Sequence, residues 1–482
     1  MLPVLLLAFW LGARSLDSSP IWGDEASSVY DAGASLYGPL SPLGVWSRVA
    51  GRNPWHSPGF FMALNLWGGA VGWDPAALRG LSLLAGLLGV TMTYRLGRDH
   101  GSVTVGVIAA LVLATSMVYV HYLSRIRMYT LIVLVTTTLL WLYLHLVTLR
   151  RAPGRGWWLA LFAATAATLY THYLAALALA PIGLYHLLVV PKNRRWWQVA
   201  GVMAAGVLPF LPWVRVLAAG ISLTSGDDEL HARALTAPEV VGNIVTMFAN
   251  GAPWLALAAW ALTLRAWDKA ARRFWLLAGL YHGALLLLNA ALQIVDERRV
   301  RYLLGLWPLL ALLAGFGIAR LRRRHWIVLA TALWVAVGVW NVLADTATPL
   351  LHGHTSLFPL QRVAHTIGGR QQAGDVVVNY LPDEGRRGPE YENIASFYFT
   401  PMSLEYVVAQ PDDAAEVNAL IELVIARERL WLAYEPDQPS ATRAGFVTWL
   451  VSQYVACDVV LADSSLYLAL YARTEAGCTT PG

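Results

Sequence analysis

Two adjacent carboxylates, Asp24 and Glu25, stand in the segment IWGDEASSVYDAG, just past a first apolar run. A carboxylate within reach of a hydroxyl can take that hydroxyl's proton while the oxygen attacks an electrophile, the work of a general base. Asp24 also suits a local task, because an aspartate ahead of a helix over 25–34 would cap exposed N–H groups. A second group, SRIRMY at 124–129, places Arg125 and Arg127 beside Tyr129 between two apolar runs. A third, DERRVRY at 296–302, brings Arg299, Arg301 and Tyr302. A guanidinium presents a planar fork of donors that matches phosphate oxygens, so both segments read as holders of an anionic group. The local alternatives are arginines snorkelling to headgroups, acids and arginines of 296–302 pairing among themselves, and the two tyrosines serving as interface rings.

Three further residues share the same depth in the pattern. His56 precedes Ser57 and Pro58, where a proline opens a helix. Arg79 ends an outer loop and has the length to snorkel, and His172 in THYL suits either a buried hydrogen-bond network or a substrate contact. The acidic run Asp227, Asp228 and Glu229 reads as a solvated stretch, or as partner to Asp24 and Glu25 around a divalent cation. No dedicated metal site is expected.

The elements that must position these groups are membrane helices. At 57% apolar, 13% charged and a mean hydropathy of +0.50, the 482 residues exclude a water-soluble single-core enzyme. The net charge of +5 does not mark a nucleic-acid face, since the basic residues collect in short loops between apolar runs. Runs long enough to cross the hydrocarbon layer fall near 2–16, 76–94, 103–123, 128–148, 157–190, 197–214, 244–264, 274–295, 302–319 and 326–344. The run at 157–190 is too long for one pass and divides at Thr171 and His172. No cleavage pattern follows the first run, so it is kept as a helix.

The run 56–73 decides the topology. Laid along the membrane surface rather than through it, it leaves 16 Lys and Arg in 35 residues of one set of loops and 10 in 104 residues of the other. The positive-inside bias then favours eleven helices with the N-terminus cytoplasmic, and turns 17–79 and the C-terminal part outward. The expected fold is thus an α-helical polytopic membrane protein over 1–345, followed by a small extracytoplasmic α/β domain over 346–482. In that domain 374–381, 429–435 and 464–473 read as strands, and 414–428 and 441–454 as helices. Cys457 and Cys478, the two cysteines of the chain, fall in the outward part, where a disulfide is permitted and a pair of thiols equally so.

Taken in order, WGDEA, HSPGFFMALNLW with DPAALRGLSLLAG, RMY, THYL and RYLLGLWP resemble the GT-C superfamily of integral-membrane glycosyltransferases that use polyprenyl-phosphate sugars. The similarity covers about 1–345 and points to the branch holding protein O-mannosyltransferases and lipid A aminoarabinose transferases. It implies Asp24 as base with Glu25 beside it, and Arg127, Tyr129, Arg299, Arg301 and Tyr302 around the donor phosphate. His56, Arg79, Arg125 and His172 would then line the pocket. Many relatives carry a further Asp where this chain has SRIRMY, and HSP replaces their HPP. The first difference weakens any metal-dependent or second-carboxylate route. The resemblance implies a sugar transferred from a polyprenyl-phosphate donor in the cell membrane to a protein, lipid or glycan acceptor on the outer side, with inversion. A flippase or transporter is the rival reading, and its mark would be ionisable groups at the bilayer midplane; such charges are nearly absent from the centres of the runs.

Overall fold

The computed structural model describes all residues except 18–19, 35–38, 150–151, 225–234, 266–267, 293–294, 296–298, 353–358, 383–388, 403 and 480–482. The chain forms two compact units: Met1–Ser18 with Leu40–Gly353, and Ser19–Pro39 with His354–Gly482.

The first unit is a bundle of apolar helices. Among the described residues six are long and apolar enough to cross a membrane, or eight if each of two bent pairs is one span. Leu2–Ala13, Gly59–Val71 and Tyr173–Val189 are shorter apolar helices. Their starts follow ordinary capping chemistry: Asp74 accepts from the Ala76 and Ala77 N–H groups ahead of Pro75–His100, and Asn193 from those of Arg195 and Trp196. Small residues allow the helix backbones to approach closely. A Cβ added to Gly317 would lie 1.7 Å from the carbonyl oxygen of Ala259, an atom of the backbone that cannot swing aside. Gly317→Ala is therefore expected to cost about 1–3 kcal/mol, read as a lowered Tm of the detergent-purified protein.

The bent pairs are joined at their breaks. Val103–Ala114 and Met117–Leu123 meet at 69°, Ala237–Phe248 and Pro253–Arg265 at 91°. At the second break Asn250 adopts the left-handed conformation (φ 55°), and its Oδ1 accepts from the Met117 N–H at the first break, at 2.7 Å. Trp307 Nε1 donates to the Ser116 hydroxyl at 3.1 Å. A backbone group freed by an interruption in lipid needs such a partner, and here the second break supplies one to the first. The result fixes the short helix Met117–Leu123 and with it His121 and Tyr122.

The second unit carries a five-stranded sheet: β1 (Val376–Tyr380), β2 (Glu405–Ala409), β3 (Arg429–Tyr434), β4 (Val455–Ala462) and β5 (Tyr467–Ala472), in the order β2-β1-β3-β5-β4. β1 pairs in parallel with β2 and β3, while β5 runs antiparallel to β3 and β4. Every residue of β1 is buried, as expected for a strand covered on both faces. The strands expected over 374–381, 429–435 and 464–473 are present. β2 and the edge strand β4 were not anticipated. Arg429 and Asp375 form a buried ion pair (Nε to Oδ1 2.8 Å), and Trp431 Nε1 donates to the other carboxylate oxygen at 2.9 Å. Arg429 also donates to the carbonyls of Gly477 and Thr479, each at 3.0 Å. Cys457 and Cys478 are joined in a disulfide, which ties the same tail to β4.

The helix Gly23–Asp31 packs in this second unit against the helix Pro389–Phe399. Asn393 donates to the Ser27 hydroxyl at 3.0 Å, and the Tyr398 hydroxyl accepts from the Ile21 N–H at 3.1 Å. Ala26 and Val29 are fully buried on that helix.

Candidate active site

Residues 124–128 make a tight turn leading into the helix Tyr129–Thr148. The Arg127 N–H donates to the Arg125 carbonyl at 2.8 Å, and the Ser82 hydroxyl donates to the Arg127 carbonyl at 3.2 Å. This backbone arrangement turns the Arg127 side chain inward, where it is 3% exposed and its guanidinium lies 5.8 Å from the Tyr129 ring centre. The 3-10 helix Arg299–Leu306 delivers the matching half: Arg301 sits 5.4 Å from the ring of Tyr302, and the Tyr129 and Tyr302 rings are 5.8 Å apart. Two guanidinium groups thus flank a tyrosine pair, with the Tyr129 hydroxyl in the field of both.

The chain break at His172 brings in an imidazole. Its Nδ1 accepts from the Leu174 N–H at 3.1 Å, capping the 3-10 helix Tyr173–Ala178 and so placing the proton of the neutral ring on Nε2. The ring stacks on Tyr302 at 5.2 Å and 26°, and His56 stands edge-on to it at 6.0 Å. His56 is held from behind, its carbonyl accepting from Trp213 Nε1 at 2.9 Å. The His172 Nε2 and Tyr129 hydroxyl are both buried and have no hydrogen-bond partner among the described residues. The same is true of the Thr130 and Ser57 hydroxyls.

The cluster therefore gathers positive charge and surplus donors in a buried place, and none of these side chains is a carboxylate. Left empty, such donors cost free energy; an oxyanion entering among them would satisfy several at once. Two to three turns further along Tyr129–Thr148 a narrow, mostly apolar crevice of about 20 Å³ opens, lined by Thr136, Leu140, Ile182, Leu277 and Leu309 among others.

The remaining expected residues fall as follows. Arg125 is half-buried and donates to His121 Nε2 at 3.4 Å, the ring beside Tyr122. Arg79 is fully buried, with Nη1 donating to the Leu16 carbonyl at 2.7 Å, a contact that holds the end of the first helix. Arg299 opens its 3-10 helix, but its side chain lies outside the described residues, as do Asp227, Asp228 and Glu229. Tyr129 is fully buried and Tyr302 half-buried, so neither is an exposed interface ring. Sequence reasoning passed over Tyr122, whose ring centre is 4.3 Å from that of Tyr129, and His121 beside it. Both sit within an apolar run, and only the bend at 115–116 sets them at the cluster.

Asp24 and Glu25 belong to the other unit. Their helix begins at Gly23 with Trp22 as its N-cap, so Asp24 is not the cap that its position suggested. Both acids occupy the first turn, where negative charge complements the helix dipole. Glu25 is fully buried and Asp24 partly so; the Asp24 carbonyl accepts from the Ser28 hydroxyl at 2.8 Å. Among the described residues no three His, Cys, Asp or Glu side chains are arranged to hold a metal ion.

Residues 56–217 match the family described as dolichyl-phosphate-mannose-protein mannosyltransferase. No curated protein sequence matches the chain. Among solved structures, ArnT from Cupriavidus metallidurans in the apo state is similar over 99% of this chain and 98% of its own, at 15% identity and a TM-score of 0.62. The same protein bound to undecaprenyl phosphate gives 14% identity, the same coverage and a TM-score of 0.62. The arabinofuranosyltransferase AftD from Mycobacteria is similar over 98% of this chain and 39% of its own, at 15% identity and a TM-score of 0.54. Residues 56–217 are thus similar to that mannosyltransferase family, and along nearly its whole length the chain has the fold of ArnT, the GT-C fold.

Proposed function

We propose that this protein is a membrane glycosyltransferase that takes a sugar from a polyprenyl-phosphate donor and passes it to an acceptor on the extracytoplasmic side. The observation that carries this reading is the buried meeting of Arg127, Arg301, Tyr129 and His172 beside an apolar crevice. The donor groups suit a phosphate, and the apolar side chains along the crevice suit the neighbourhood of a lipid chain. The fold shared with an ArnT whose structure holds undecaprenyl phosphate supports the same substrate class.

In the proposed reaction an acceptor hydroxyl attacks the anomeric carbon while the bond from that carbon to the phosphate oxygen breaks. The proton goes to Asp24, with Glu25 as its neighbour, and the charge gathering on the departing polyprenyl phosphate is met by Arg127 and Arg301. Attack from the side opposite the phosphate inverts the anomeric configuration. Eleven passes would take the six long helices, each bent pair as one, and Leu2–Ala13, Arg155–Thr171 and Tyr173–Val189 as three more. The arginine-rich loops favour a cytoplasmic N-terminus and a C-terminal unit outside the cell membrane.

The test is transfer from radiolabelled polyprenyl-phosphate sugars to membrane extracts by purified protein. Arg127→Gln removes a charged donor from a buried phosphate site and is expected to lower transfer at limiting donor by about 10- to 100-fold. Undiminished transfer by the variant, or lipid translocation by the wild type with no sugar transferred, would overturn the reading.

A further inference from the structure

The far end of the Tyr129–Thr148 helix carries a second polar assembly that the proposed reaction does not use. Nineteen helical steps separate the two ends, about 28 Å and close to the thickness of a hydrocarbon layer. At this end a hollow of about 520 Å³ is lined by Asp99 and His100 from Pro75–His100, His145 and Thr148 from Tyr129–Thr148, and Lys269 and Arg273 from Lys269–Leu292.

The charges in the hollow do not balance among themselves. Asp99, its one carboxylate, is already engaged: it accepts from Trp141 Nε1 at 3.0 Å and pairs with Arg98 at 2.8 Å and Arg95 at 3.7 Å. The next acid along, Asp268, is paired with Arg320 and accepts from the Ala271 N–H. Lys269 and Arg273 are left as surplus cations among the described residues.

Arg273 Nη1 lies 3.3 Å from His100 Nδ1. Because a guanidinium can only donate, Nδ1 is the acceptor and the ring proton sits on Nε2. That Nε2–H and the Nε–H of Arg273 are both buried and have no hydrogen-bond partner among the described residues. Two donors of one linked pair therefore lack an acceptor, beside an exposed lysine. The wall above them is aromatic: His145 is stacked between Trp157 at 4.3 Å and Trp141 at 5.6 Å. Indole rings at a helix end are the usual furniture of a membrane interface.

We infer that this hollow is a second anion site, built to take a phosphate-bearing group at the opposite end of the bundle from the Arg127 cluster. Phosphate oxygens would supply the acceptors that the His100 and Arg273 donors lack, with Lys269 completing the charge. The same chemistry is offered by the headgroup of an anionic phospholipid and by free phosphate, and the experiment separates them.

Full-length protein is purified as wild type, Arg273→Gln and Lys269→Gln, and lipid retention is measured by native mass spectrometry after exposure to phosphatidylglycerol or phosphatidylcholine. In a parallel arm inorganic phosphate is titrated into delipidated protein and Tm is followed. Wild type is expected to retain phosphatidylglycerol about tenfold over phosphatidylcholine, with that preference lost in both variants, as removal of a charged hydrogen-bonding partner predicts. A Tm rise with inorganic phosphate that both variants lose also supports the site and assigns it to a soluble ligand. Wild type showing neither response, or both variants keeping the wild-type response, overturns it. If Arg273→Gln fails to fold, the exposed Lys269 position decides alone.

Discussion

Asp24→Asn is expected to lower the rate of sugar transfer by about 10²- to 10⁴-fold, the span typical for loss of a general base. The substitution keeps the size and hydrogen-bonding capacity of the side chain and removes only its charge and basicity. Asp24 sits in the first turn of Gly23–Asp31, where a negative charge contributes about 0.3–1 kcal/mol through the helix dipole. The variant should fold, and it should bind a polyprenyl-phosphate donor as the wild type does, because the proposed phosphate contacts lie on Arg127 and Arg301. Measuring kcat alongside donor affinity distinguishes this from a folding defect. A kcat within a factor of two or so of wild type removes Asp24 from the role.

Asp375→Ala is expected to destabilise the C-terminal unit by about 3–5 kcal/mol, the range for breaking a buried ion pair from one side. Arg429 is 5% exposed and Asp375 2% exposed, so the stranded guanidinium has no path to water without local unfolding. The loss spreads, because the same carboxylate accepts from Trp431 and the same arginine holds the Gly477 and Thr479 carbonyls. Limited proteolysis and thermal unfolding should show earlier opening of this unit. Pairing the substitution with Arg429→Met should recover part of the loss, since the uncompensated charge is then gone. A double variant no better than the single one would mean that packing, rather than charge, sets the cost.

The membrane helices were legible in the sequence because the solvent imposes their length and apolarity, and the arginine segments of the buried cluster because arginines stood out in the arginine-poor set of loops. SRIRMY, THYL and DERRVRY are far apart in the chain, yet Arg127, His172 and Arg301 meet around Tyr129 and Tyr302. What sequence could not give is set by distant packing. The run 103–123 reads as one unbroken helix, and its bend arises from Asn250, which accepts the Met117 N–H from another broken helix. The asparagine and glycine at 250–251 do carry a turn signal, but nothing local tells which backbone it serves. β4 escaped notice because it lies at the sheet edge, exposed along most of its length and interrupted by register shifts, so no alternation survives. Asp24 looked like a cap because capping statistics favour aspartate; with Trp22 as the cap the helix begins two residues earlier than that placement requires.

The helix Gly23–Asp31 rests on Pro389–Phe399, more than 350 positions away along the polypeptide. Chimaeras that exchange the tail between homologous proteins at a seam near 345 would mismatch that surface unless residues 19–39 travel with it. An internal deletion of the tail would likewise leave Ala26 and Val29 facing water. The piece to graft or to lose is thus discontinuous, and a linear map of the gene would cut it in the wrong place.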